Sequence, residues 1–124
     1  PGDLAVVYST RNGRYTKVGK KVTAWVYVVT STFTHTTASG SLNITGLPFT
    51  ADSGMAKYDG VLGAMQGVTK ASYTQFGLEV AAGATLATVP ASGSGQSVIA
   101  LVVADVPTAT TKVFGGCVTY EATT

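Results

Sequence analysis

The chain has 124 residues, a length that fits one domain able to bury roughly two thirds of the surface its unfolded form exposes. Charged residues are only 11% and hydrophobic ones 45%, which excludes intrinsic disorder and implies a surface made polar by Thr, Ser, Gly and Asn. The net charge of +2 is too small to draw the chain to nucleic acid or an anionic membrane, and no apolar run approaches the ~18 residues a membrane span requires.

Period-two alternation with β-branched residues dominates. Residues 4–10, LAVVYST, read as a strand that ends at RNGR, where Asn12-Gly13 is a hairpin signal. Residues 14–19 continue after that turn, and Gly19-Lys20 makes a second break. The stretch RNGRYTKVGKK, residues 11–21, holds five of the eight basic residues and reads as a solvated hairpin. Residues 21–34, KVTAWVYVVTSTFT, are the clearest strand. Val22, Ala24, Val26 and Val28 share one face; Thr23, Trp25, Tyr27 and Val29 share the other. Both faces are apolar in the middle, so the core is expected on one side and further protein on the other, with Trp25 packed.

Residues 34–41 form a polar turn, and 42–45 a short strand leading into Gly46-Leu47-Pro48-Phe49. Leu42 and Ile44 are expected to point inward, Gly46 to turn the backbone, and Leu47 and Phe49 to plug a corner of the core. Residues 51–60, ADSGMAKYDG, read as a loop. Small residues in 61–69 suggest a close approach of another strand, and 72–83 a strand with a bulge near Gly77. Residues 84–90 are a strand stopped by Pro90, and 91–97 a flexible loop. The apolar run 98–105, VIALVVAD, reads as a central strand. Residues 106–112 connect it to a last strand, 113–123. Eight or so short strands and no amphipathic helix predict an all-β antiparallel sandwich of jelly-roll type, in one domain over residues 1–124.

Chemistry-bearing groups are sparse. The single Cys117 and single His35 exclude a disulfide scaffold and a Cys/His zinc site, and Cys117 reads as a small buried hydrophobe. The six carboxylates form no D-x-D or E-x-x-H grouping, and His35 lies among threonines in an exposed loop. No catalytic residue, metal or cofactor is assigned. Binding is the better reading, with Tyr58, Tyr73, Arg11 and Arg14 as loop candidates for contacting a receptor.

Three blocks line up in order: GDLAVVYSTRNGRYTKVGKKVTAWVYV, SGSLNITGLPFTA and FGGCVTYEA. Tyr15, Thr16, Lys17 and Gly19 carry the first, and Leu42, Ile44, Gly46, Leu47, Pro48 and Phe49 the second. The third fits only loosely, at Phe114 and Gly116. The series resembles a C-terminal β-sandwich module of bacteriophage tail fibres, tailspikes and related virion-surface fibres. The resemblance implies a homotrimer on the virion surface, displayed at the far end of a fibre. Its partners would be other virion proteins and a host cell-surface glycan or outer-membrane protein, with no nucleic acid and no membrane insertion. Starting at Pro1, the chain reads as a piece of a longer fibre protein. The alternatives are a structural cap or decoration without receptor recognition, and a carbohydrate-binding module of a larger enzyme.

Overall fold

The computed structural model describes residues 3–108 and 111–124. The strands are β1 (Ala5–Val18), β2 (Lys21–Thr34), β3 (Asn43–Thr45), β4 (Lys57–Gln66), β5 (Gln75–Ala81), β6 (Leu86–Thr88), β7 (Pro90–Ser92), β8 (Ile99–Ala100) and β9 (Val113–Glu121). They make one nine-stranded antiparallel sheet in the order β1-β2-β9-β4-β5-β6-β3, with β7 joining β5 to β8. The sheet curls into a half-barrel, so the fold is all-β and sandwich-like. Its concave side holds the core, with Val22, Leu78, Val80, Val89, Leu101 and Tyr120 all buried.

The first hairpin departs from its local turn signal. β1 runs straight through Asn12 and Gly13, which pair with Tyr27 and Val26. The chain reverses at Gly19-Lys20 instead, where Gly19 has φ +60 and joins Val18 to Lys21. A glycine with positive φ at the first central position is what a two-residue type II′ turn needs. A turn at Asn12-Gly13 would leave the 14 residues of β2 without a partner of matching length. Compensating irregularities around Tyr8 and Thr10 reset the alternation, so that Thr30 and Phe33 both face inward.

Three other expectations change. Residues 57–60 are the start of β4, not a loop. No register shift occurs at Gly77; the pairing of β5 lapses between Thr88 of β6 and Ala91 of β7, where Pro90 lacks an N–H and pairs instead with Ala100 of β8, and β4 carries its own irregularity at Gly63. Finally, the run 98–105 yields only the two-residue β8 and a 3-10 turn over Val103–Asp105, while β9 takes the central place between β2 and β4. Asp105 ends the run: its carboxylate accepts from the Val102 N–H at 3.0 Å and pairs with Lys70 Nζ at 2.7 Å. Of the connector 106–112, Ala109 and Thr110 lie outside the described residues.

The segment 41–50 behaves as its pattern suggests. Leu42, Ile44, Leu47 and Phe49 pack against the core, and Gly46 adopts φ +94. Nothing stands within 4 Å of where a Gly46 Cβ would be, so the requirement is conformational and not steric. The Phe49 carbonyl accepts the Tyr120 hydroxyl at 3.0 Å, and the Tyr15 ring meets Phe49 edge-on at 5.5 Å.

Candidate contact surface on the convex face

Residues directly opposite each other in an antiparallel sheet share a face. The register therefore lays Arg14, Trp25, Cys117 and Val61 in one row across four strands, and Asn12, Tyr27, Gly115 and Ala64 in the next. Because Val22 and Ala24 are buried on the concave side, both rows face outward. Trp25 is 47% exposed, Tyr27 44% and Val61 63%, so this face presents a contiguous apolar and aromatic patch. The rows line a broad shallow depression.

Gly115 explains how the Tyr27 ring lies. A Cβ there would stand 2.8 Å from Tyr27 Cδ1 and 3.2 Å from Cε1, so the ring rests on the glycine backbone. Glycine is the one residue that leaves room for a ring lying against the strand. A hydroxyl row borders the patch, where Thr23 and Thr119 share a hydrogen bond of 3.1 Å. Arg14 and Asn12 border it on the β1 side.

The sequence candidates divide. Arg11 and Arg14 both line the depression, on the strand β1 and not in a loop. Arg11 also stacks its guanidinium over the Tyr8 ring at 4.9 Å. Tyr58 is removed from the surface: it lies on β4, 7% exposed, with its ring 6.5 Å from that of Tyr120. Its hydroxyl makes no hydrogen bond of good geometry among the described residues, with only a weak approach to the Met55 backbone. Burial first, then the Glu121 and Asp52 carboxylates, raise its pKa. Tyr73 is half-buried away from the patch, its hydroxyl donating to the Ser97 carbonyl at 3.1 Å and its ring beneath Lys70 Nζ at 5.6 Å.

Trp25 is not packed within the chain, where no other element covers that face among the described residues, and Cys117 is half-buried on the outer face beside it. The signal for this site was present in the Trp25-x-Tyr27 spacing opposite Gly115-x-Cys117, but only the pairing register reveals it. Elsewhere, polar groups are engaged locally. His35 Nε2 lies 2.7 Å from the Val106 carbonyl, and Lys57 pairs with Glu79 at 2.9 Å, which raises the lysine pKa. Among the described residues no three of His, Cys, Asp and Glu gather as a metal site. No protein-family model, curated protein or solved structure matches the chain.

Proposed function

We propose that this chain is a non-enzymatic, trimeric module of a phage virion fibre or tailspike that attaches to the host surface. Its contact surface is the convex patch of Trp25 and Tyr27, and its ligand there is a cell-surface glycan. The observation that carries this reading is the exposed aromatic pair resting on a glycine floor. Two large rings held open to solvent do little for stability, whereas an aromatic surface with a few polar groups at its border is what ligand recognition uses. The C–H face of a sugar ring stacks on Trp25 and Tyr27, while Arg14, Asn12 and the Thr23/Thr119 hydroxyls supply hydrogen bonds at the margin. The low charge content, 11%, favours assembly with copies of the same chain over a free monomer.

The test uses the purified chain as a competitor of virion adsorption. It should block attachment, and Trp25→Ala with Tyr27→Ala should weaken binding to isolated host polysaccharide by about tenfold or more, given hot-spot costs of ~2 kcal/mol. Unchanged adsorption in the presence of saturating chain would remove the attachment role. Light scattering on the eluting peak at micromolar concentration should give three times the chain mass; a monomer would remove the trimer.

A further inference from the structure

The half-barrel does not close. Among the described residues β1 pairs only with β2, and β3 only with β6, so there the first and last strands of the sheet each leave one edge unpaired. Among the described residues no backbone hydrogen bond from a loop reaches β1. Between these edges runs a cleft of about 420 Å³, with walls that include Val6, Tyr8, Val28, Phe33, Leu42 and Ile44. The two-residue turn closes on the hydrogen-bonded pair Val18 and Lys21, and pairs alternate from there. Counting back, Arg11, Gly13, Tyr15 and Lys17 direct their N–H and C=O groups to the free edge.

The seam is cationic apart from Asp3, whose carboxylate is taken up by the Thr36, Thr37 and Ala38 N–H groups. Residues 4–51, which contain both walls' strands, hold five cations and no Asp or Glu. Arg11 lines the cleft, Arg14 lines its continuation past Gly46, and Lys17 Nζ lies 5.2 Å over the Phe49 ring. Cations on an edge strand oppose pairing with a second copy of the same edge, because like charges would face each other. They favour a strand of opposite charge.

We propose that the seam between β1 and β3 accepts an extended peptide strand from a partner chain, with carboxylates alternating with apolar residues. The incoming strand pairs with the free N–H and C=O groups of β1. Its apolar side chains enter the cleft, and its carboxylates, on the opposite face, reach Arg14, while Arg11 and Lys17, on the cleft side opposite Val28 and Val22, add to the positive field along the edge. This is strand addition to an open sheet edge, where main-chain bonds give affinity and alternate side chains give specificity. The seam adjoins the convex patch and shares Arg11 and Arg14 with it, but its readout, protection of the β1 edge amides, does not depend on receptor attachment.

The test is a titration of the isotopically labelled chain with an end-capped octapeptide of alternating valine and glutamate. Binding should slow amide hydrogen exchange at Arg11, Gly13, Tyr15 and Lys17. Replacing glutamate by lysine in the peptide, or making Arg11→Glu with Arg14→Glu in the chain, should weaken binding by about tenfold or more. N-methylation of alternate peptide amides should abolish it while leaving charge intact. Failure of the acidic peptide to bind, or binding that leaves the four amides unprotected, overturns the proposal. Dextran sulfate serves as the polyanion without a peptide backbone: tight binding of it at the same residues, in place of the peptide, would assign the seam to an anionic polysaccharide instead.

Discussion

Tyr58 and Tyr120 stand against each other in the core and differ by one hydrogen bond. The Tyr120 hydroxyl donates to the Phe49 carbonyl at 3.0 Å, while that of Tyr58 is buried with no more than a weak approach to the Met55 backbone among the described residues. A buried polar group without a partner keeps its desolvation cost and returns nothing for it. Tyr58→Phe should therefore leave the urea midpoint unchanged or raise it. Tyr120→Phe should lower stability by about 1 kcal/mol, because it also strands the Phe49 carbonyl. The sequence hid this difference. Lys57-Tyr58-Asp59-Gly60 has the composition of a turn, yet Gly60 is there for contact: a Cβ would run into the Cys117 carbonyl and stand 2.7 Å from Val118 Cα. Close approach of a neighbouring strand and turn formation use the same residue type, and only the neighbour tells them apart.

Glycine also separates the two candidate turns of the first hairpin. Gly19 has φ +60, whereas Gly13 sits in a continuous strand, where a Cβ would meet only the Trp25 carbonyl oxygen, at 3.8 Å. Gly19→Val should cost about 1–2 kcal/mol, the penalty of left-handed backbone for a side-chain-bearing residue. Gly13→Val should be neutral or stabilising, since an extended strand favours a β-branched residue. Thermal midpoints of the two variants decide which site turns the chain. The strand pattern was legible wherever alternation was long: β2 spans the residues its periodicity marked. It misled at 98–105, where an apolar run satisfies itself partly as a buried loop. Leu101 and Val103 are buried, but Val98 and Ile99 remain exposed, and the Lys70–Asp105 pair closes the segment. That pair is largely shielded from water, with both side chains under 15% exposed, so Asp105→Ala should cost about 2–3 kcal/mol, less than the loss of a fully buried pair. Chemical denaturation measures it.

For the molecule as a whole, fold class followed from period two, whereas strand order and the convex patch did not. Alternation says which residues share a face; it does not say which strand lies beside which. The start of the described chain is held by one side chain. The Asp3 carboxylate accepts from the backbone N–H groups of Thr36, Thr37 and Ala38 at 2.7, 2.8 and 2.9 Å. These bonds, Thr36 and Thr37 foremost, hold its pKa well below the ordinary 3.8. A carboxyl depressed in the folded state contributes stability above its unfolded value, and that contribution drains away as pH falls through 3.8 towards the folded value. Asp3→Asn should flatten the fall in thermal midpoint between about pH 5 and pH 2. An identical acid profile in the variant would mean the clamp carries no proton linkage.

The placement of β9 reaches beyond the finished structure to how it is made. β9 comes last among the strands, yet it lies in the middle of the sheet, between β2 and β4. During synthesis the β1–β2 hairpin can form alone from local contacts, while β4 and β5 wait with an open edge facing nothing. Until β9 emerges, two apolar strand edges are unsatisfied at once, and such edges invite intermolecular pairing. Folding is thus held back until its final strand is available, and the long-range pairings make it slow, on the order of milliseconds to seconds. A nascent chain stalled before residue 113 should be captured by chaperones and remain protease-sensitive, whereas one extended through residue 121 and clear of the ribosome should become resistant.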